Sequence, residues 1–271
     1  MTEALGSTGR LGAPGHPRRT PGTPCWVSLL VHDLTTTQDF YGALFGWEFR
    51  PQPTATPLGY YAQALLDGRE VAVIGQLPDE RRDPVAWTPY LATDDVDLTA
   101  EMVRLCGGTV GFGPLDAGAA GRLALASDPS GAVFGIRHAP AYPGRPVSGT
   151  PGAPAWTELM THESARVIRF YEDVFGCTHK PNVSAGPDCV TLHTADGRPV
   201  ASIRGVGGPQ LHGRGAHWMT YFETVDVDAA VARTTELGGS VVEPPRDGPY
   251  GRVATLTDPA GAAFALVRTP D

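Results

Sequence analysis

The chain repeats itself, and that repetition limits its fold more than any other feature. Trp26 and Trp156, Phe40-Tyr41 and Phe170-Tyr171, and Phe45-Gly46 and Phe175-Gly176 are each 130 residues apart. Trp87 and Trp218, Asp95-Val96-Asp97 and Asp226-Val227-Asp228, and Gly107-Gly108 and Gly238-Gly239 are 131 apart. The offset is again 130 at Gly121-Arg122 and Gly251-Arg252, and at Asp128-Pro129 and Asp258-Pro259. One spacing with small indels, carried by rare residue types, means that one structural unit is written twice. The first copy spans residues 24–138 and the second 155–269. Residues 139–154, rich in Pro and Gly, read as a linker, and residues 1–23 read as an unstructured tail.

Within each copy the order is strand, helix, further strands, and then the same again. Cys25–Val31 is a predicted strand, and Thr35–Phe45 a helix capped by Asp33 or a following threonine and stopped by Gly46. Tyr60–Leu66 and Glu70–Gln76 form a hairpin across Asp67-Gly68. Val85–Ala92 is a new strand, Asp97–Cys106 a second helix, and Leu123–Ser127 with Ala132–His138 a last hairpin across Asp128-Pro129-Ser130-Gly131. The fold class is therefore α+β, as a tandem duplicated domain.

Composition narrows the functional classes. Hydrophobic residues make up 41% and charged residues 18%, a globular balance without a run long enough to span a bilayer. A net charge of −8 argues against nucleic acid as a partner, since phosphate binding needs clustered cations. The expected location is the cytoplasm, because no apolar secretory stretch is present. The four cysteines, Cys25, Cys106, Cys177 and Cys189, lack metal-binding spacing and read as buried reduced thiols. Lys180 is the one lysine among 21 basic residues, which with 34 Gly and 26 Pro fits the codon bias of a GC-rich, actinobacterium-like genome.

Four landmarks then bring a family into view. They are the helix segment Phe40-Tyr41-Gly42-Ala43-Leu44-Phe45-Gly46-Trp47 with its partner Phe170-Tyr171-Glu172-Asp173-Val174-Phe175-Gly176, and the turns Asp128-Pro129-Ser130-Gly131 and Asp258-Pro259-Ala260-Gly261. In this order and spacing they resemble the vicinal oxygen chelate superfamily, which includes glyoxalase I, extradiol dioxygenases and bleomycin-resistance proteins. The resemblance covers nearly all of the chain from Pro24 to Pro270. It implies that each copy pairs two βαβββ modules whose curved mixed sheets enclose a cleft. Fold alone does not assign chemistry, because the superfamily hosts several reactions.

Metal-dependent members place His, Glu or Gln at matching strand positions. In this chain those positions fall at Trp26, Gly75, Thr88 and Gly135, and at Trp156, Arg204, Met219 and Ala265. A slip of one residue would substitute Gln76 or His217 without assembling three donors in either copy. No metal or other cofactor is expected. His32 and His162 read as strand-end histidines, and His193, His212 and His217 fit no ligand motif.

Strand alternation extends each cleft from these positions. The first is lined by Trp26, Ser28, Leu30, Val73, Gly75, Thr88, Tyr90, Val133 and Gly135. The second is lined by Trp156, Glu158, Met160, Ser202, Arg204, Met219, Tyr221, Ala263 and Ala265. Phe134 and Phe264 then point to the helices as core. Trp26 and Trp156 either fill the space of a lost ligand or form stacking platforms, with Gly135 and Ala265 leaving room. Glu158 and Arg204 form either an internal ion pair or a recognition pair.

Two functions from different classes follow. One is metal-free binding of a small aromatic or polycyclic natural product, for sequestration, self-resistance or biosynthetic support, with Trp26, Ser28, Leu30, Thr88, Tyr90, Trp156, Glu158, Met160, Arg204, Met219 and Tyr221 as ligand contacts. The other is a metal-independent isomerase, cyclase or hydroxylase-like enzyme, with Glu158 as general base and Arg204 as oxyanion stabiliser. The expected partner is a small aromatic molecule, not nucleic acid or membrane, bound by a monomer or homodimer.

Overall fold

The computed structural model describes residues 19–52, 59–77, 85–138, 149–211, 213–248 and 251–270. The first copy holds β1 (Pro24–Val31), α1 (Leu34–Phe45), β2 (Glu48–Pro51), β3 (Tyr61–Leu66) and β4 (Arg69–Gln76). It continues with β5 (Trp87–Ala92), α2 (Val96–Leu105), β6 (Thr109–Asp116), β7 (Arg122–Ser127) and β8 (Val133–His138). The second holds β9 (Pro154–Thr161), α3 (Ser164–Phe175), β10 (Thr178–Pro181), β11 (Cys189–His193) and β12 (Pro199–Gly205). It ends with β13 (His217–Glu223), α4 (Val227–Glu236), β14 (Ser240–Gly248), β15 (Gly251–Thr257) and β16 (Ala263–Arg268).

Each copy forms one eight-stranded mixed sheet, in the orders β2-β3-β4-β1-β5-β8-β7-β6 and β10-β11-β12-β9-β13-β16-β15-β14. The antiparallel pairs β1/β5 and β9/β13 join two βαβββ modules at the middle of each sheet. Four strands lie outside those read from residue pattern: β2, β10, β6 and β14. The first two are short and largely exposed, and the others carry glycine or proline and register shifts, so none shows a clean alternation.

Several duplicated residues are explained by local structure. Asp33 accepts the Thr36 amide at 2.9 Å, and Asp95 and Asp226 each accept an amide at 3.0 Å, so all three are helix N-caps. Gly46 and Gly176 end α1 and α3 at φ 73° and 66°, where an L side chain would be strained. Arg122 grips Asp97 through two nitrogens at 2.6 and 2.7 Å, and Arg252 grips Asp228 likewise at 2.5 and 2.8 Å. The repeated Asp-Val-Asp and Gly-Arg motifs thus tie the second helix of each copy to its sheet.

The hydrophobic cores do not follow the copies. One core joins α1 and β1–β4 to Phe222, Val227, Leu256, Phe264 and Leu266 of the second copy. The other joins Val96, Val103, Phe134 and Ile136 to Leu159, Val167, Phe170 and Tyr171. Each core is therefore shared between the two copies. Helices α1 and α3 each bury an aromatic face that a single sheet leaves uncovered, and the partner copy's last module covers it.

Polar bonds are buried inside these aromatic contacts. Trp87 Nε1 donates to Tyr41 Oη at 2.8 Å, and Tyr41 Oη donates to Asp258 Oδ2 at 3.1 Å. The mirror set is Trp218 Nε1 to Tyr171 Oη at 3.1 Å and Tyr171 Oη to Asp128 Oδ2 at 3.0 Å. Both aspartates also hold their own turns, Asp128 Oδ1 accepting from Ser130 and Ala132 and Asp258 Oδ1 from Ala262. Burial pushes both phenols well above their ordinary pKa and raises both carboxyls.

The connecting segments are partly built into this interface. Gly22 donates to Ala92 O at 2.9 Å and Ala92 donates to Thr23 O at 2.8 Å, so the last residues of the expected tail pair with β5. Ala153 is fully buried, and Trp47 Nε1 donates to Gly152 O at 2.8 Å, so the end of the expected linker belongs to the shared core. Residues 1–18 and 139–148 lie outside the described residues.

Tyr41→Phe and Tyr171→Phe each strand a buried carboxylate and an indole N–H. Each should lower the unfolding free energy by about 1–3 kcal/mol, read by urea titration. Because each core contains both copies, the loss should appear as a shift of one transition for the whole chain. Two separated transitions, one per copy, would contradict the shared core.

Candidate functional site

The central strands place the expected cleft residues side by side. In the first copy Trp26 lies opposite Tyr90 and Ser28 opposite Thr88, while Ser28 pairs with Val73, Leu30 with Gly75 and Tyr90 with Gly135. In the second, Trp156 lies opposite Tyr221 and Glu158 opposite Met219, while Glu158 pairs with Ser202, Met160 with Arg204 and Tyr221 with Ala265. Phe134 and Phe264 are fully buried on the opposite faces, against the helices of the other copy.

Glycine does not leave the first floor open. A Cβ on Gly135 would overlap the Tyr90 ring, and one on Gly75 would meet Leu30 Cδ2 at 2.7 Å. The tyrosine lies down over Gly135 and fills the space that the small residue provides. Tyr90 also meets Trp26 edge to face, with ring centroids 4.9 Å apart, and Ser28 Oγ contacts its hydroxyl at 3.4 Å.

Sequence alternation missed two charged residues in this cleft, Glu70 and Arg137. Between β3 and β4 the register shifts, so Ala64 faces Ala72 but Leu65 faces Glu70, leaving Val71 as the extra residue. This bulge turns Glu70 to the cleft side, as bulges re-aim side chains. Trp26 Nε1 donates to Glu70 Oε1 at 2.6 Å, and Gln63 Nε2 donates to Oε2 at 2.5 Å. Burial raises the Glu70 pKa, with these two donors and Arg137 opposing the shift. Arg137 follows Gly135 by two residues on β8, so continued alternation was the signal that could have found it. Its guanidinium carbon sits 4.2 Å from the Trp26 ring centre, and its Nε donates to Ala120 O at 2.6 Å.

The second cleft draws its charges from other strands. Glu158 is 1% exposed. Its Oε1 accepts from Ser202 Oγ and Arg204 Nη2, each at 3.0 Å, and its Oε2 accepts from Tyr221 Oη at 2.8 Å. Trp156 Nε1 donates to Ser202 Oγ at 3.0 Å, which links the indole to the same network. Arg204 is held further by Ala185 O at 2.5 Å. Glu158 raises the Arg204 pKa against the opposing pull of burial; burial, reinforced by Glu158, raises that of Tyr221 and pushes the Cys189 thiol up to about 11. The matching bulge in this copy places Pro199 opposite His193, so no carboxylate stands where Glu70 does.

These donors do not suit a divalent ion. The eight strand positions carry Trp26, Gly75, Thr88, Gly135, Trp156, Arg204, Met219 and Ala265, none of them a carboxylate or imidazole. The nearby carboxylates are already held by indole, amide, hydroxyl and guanidinium donors, and a guanidinium lies in each cleft. Among the described residues no three of His, Cys, Asp and Glu converge. His217 lies on the second cleft's face, opposite Met160, with Nδ1 2.8 Å from Gly215 O. His32 and His162 are exposed, His193 Nδ1 lies 3.1 Å from Thr191 O, and His212 falls outside the described residues.

Paired βαβββ modules around clefts on the duplicated sheets define the vicinal oxygen chelate class. The chain belongs to the glyoxalase/bleomycin resistance protein/dioxygenase superfamily, whose family model matches residues 153–266. It is 36% identical to the glyoxylase-like protein CFP32 of Mycobacterium tuberculosis, covering 91% of this chain and 95% of that one. It is also 36% identical to the anthracycline biosynthesis protein DnrV of Streptomyces peucetius, covering 92% and 94%. Among solved structures it resembles the Mn(II)-bound glyoxalase of Novosphingobium aromaticivorans, with a TM-score of 0.59, 17% identity and coverage of 92% and 85%. It also resembles an extradiol ring-cleaving dioxygenase of B. fuscum, with a TM-score of 0.64, 15% identity and coverage of 95% and 74%. These two likenesses establish the fold. No helix among the described residues is long and apolar enough to cross a membrane.

Two outcomes follow from the charged groups. Arg204→Met leaves Glu158 buried without its cation and should cost about 3 kcal/mol in urea titration, whereas the double change Glu158→Leu with Arg204→Met should recover most of it. Equal losses in both would show that packing, not charge, holds the site. For Glu70, the folded carboxyl has a raised pKa, so the unfolded chain ionises first as pH climbs. Its contribution is therefore favourable below the ordinary value of 4.5 and lost as pH rises through the folded value. Glu70→Gln should gain stability relative to the parent across that rise, read by denaturation at several pH values. A difference independent of pH would contradict the assigned ionisation.

Proposed function

We propose that this protein serves natural-product metabolism by binding a small polycyclic aromatic molecule in a metal-free cleft, as a sequestering, self-resistance or biosynthetic accessory protein. The observation that carries this reading is the floor of each cleft, where indole and phenol rings and a single guanidinium stand in place of a converging donor set. Concave sites with aromatic walls and a few fixed polar groups suit flat organic ligands. The likeness over both copies to anthracycline biosynthesis proteins supports a polycyclic ligand. Trp26 and Tyr90 in the first cleft, and Trp156, Met160, Met219 and Tyr221 in the second, are the proposed apolar contacts.

An isomerase or cyclase using Glu158 as base gains nothing from the geometry. Hydrogen bonds from Ser202, Arg204 and Tyr221 fill three of its roughly four acceptor positions, and its burial leaves a substrate proton little approach to the one that remains. Binding needs no such approach.

Equilibrium dialysis of the purified protein against a panel of polycyclic aromatic polyketides, with mass spectrometry of the recovered compounds, tests the reading. A compound held at micromolar affinity or better should return with unchanged mass and retention time. Return in altered form would make the protein an enzyme, and dependence of binding on a stoichiometric retained metal would overturn the metal-free site.

A further inference from the structure

The two clefts share an inventory of one tryptophan, one tyrosine, one carboxylate and one arginine, but they arrange the charges in opposite ways. In the second cleft the arginine is neutralised from within, since Arg204 lies 3.0 Å from Glu158. In the first cleft the carboxylate sits at the edge of the indole and the arginine lies over its face. Arg137 is 5% exposed, yet no carboxylate comes within ion-pair distance of it among the described residues. Among the described residues its contacts are the Ala120 carbonyl, which takes Nε, and the Trp26 ring, so its two terminal nitrogens have no hydrogen-bond acceptor there.

A guanidinium held this deep without a direct ion pair among the described residues is costly, although the Glu70 carboxylate at the edge of the indole still attracts it. The position is nevertheless built to hold it. The carboxylate of Glu70 accepts the indole N–H, which enriches the ring that faces the cation and strengthens their attraction. The loop between β6 and β7 supplies the Ala120 carbonyl from a turn of 3-10 helix at Gly118–Ala120. That loop is where the copies differ by an indel: five residues separate Asp116 from Arg122, and four separate Asp247 from Arg252. The strand position matching Arg137 in the second copy is Val267, two residues beyond Ala265. The cation, the carboxylate and the anchoring loop at these positions are therefore particular to the first copy.

We infer that Arg137 is an anion subsite in the first cleft, and that the ligand bound there is a planar aromatic carrying an ionised oxygen, a carboxylate or phenolate conjugated to its rings. This rests on the aromatic-ligand reading above. The guanidinium fork matches two oxygens or one oxygen and its neighbour, a geometry that lysine does not offer. The second cleft, with its cation already paired, has no equivalent demand for a charged ligand.

The test uses two probes of one shape, anthracenecarboxylate and anthracenemethanol, titrated against the full chain and followed by probe fluorescence. The parent protein should bind the carboxylate about tenfold or more tightly than the alcohol. Arg137→Gln should erase that preference while leaving the alcohol's affinity within about twofold. Should that variant fail to fold, Arg137→Lys keeps the charge without the fork and should show a reduced preference. Equal affinities in the parent, or an undiminished preference in either variant, would overturn the subsite. Retention of neither probe would overturn the aromatic-ligand reading itself, whatever Arg137 does.

Discussion

The chain depends on a contact between its two copies: the aromatic face of one copy's first helix buried against the other copy's last module. Tyr41 meets Phe264 and Asp258, and Tyr171 meets Phe134 and Asp128, and each phenol is bonded again by a tryptophan from its own copy. A buried phenol is costly unless both its donor and acceptor roles are filled. Filling them needs both copies together, so the duplicated residues are duplicated for one reason. Each copy holds half of each core.

With the helix faces committed to this shared interior, the concave faces of the two sheets are left to differ. The first carries Glu70 and Arg137 on β4 and β8, apart from each other and bridged by Trp26. The second carries Glu158 and Arg204 on β9 and β12, bound directly together. The same four residue types thus serve two electrostatic ends. One cleft pairs its charges directly, and the other holds them apart, each against the same indole.

Much of the fold was legible in the sequence because its markers are local. Capping aspartates, the αL glycines after Phe45 and Phe175, and the Asp-Gly and Asp-Pro turns each act within a few residues. That Trp26 and Tyr90 share one sheet face, and Trp156, Glu158 and Arg204 another, also followed from period-two alternation. What escaped was non-local or irregular. Glu70 was hidden by a bulge that reverses alternation, and the filled space over Gly135 depends on how Tyr90 rotates across a neighbouring strand. The exchange of core partners was illegible for another reason: two identical patterns look the same whether each packs on itself or on its twin.

That exchange changes what a duplicate is for. A spare copy can ordinarily decay once its site falls idle, because the other carries on alone. Here the helix face of either copy is indispensable to the survival of both, while its cleft answers to a separate selection. Evolution can therefore rewrite one binding surface while its structural counterpart stays frozen beneath it. A cleft that loses its ligand does not release its half of the chain.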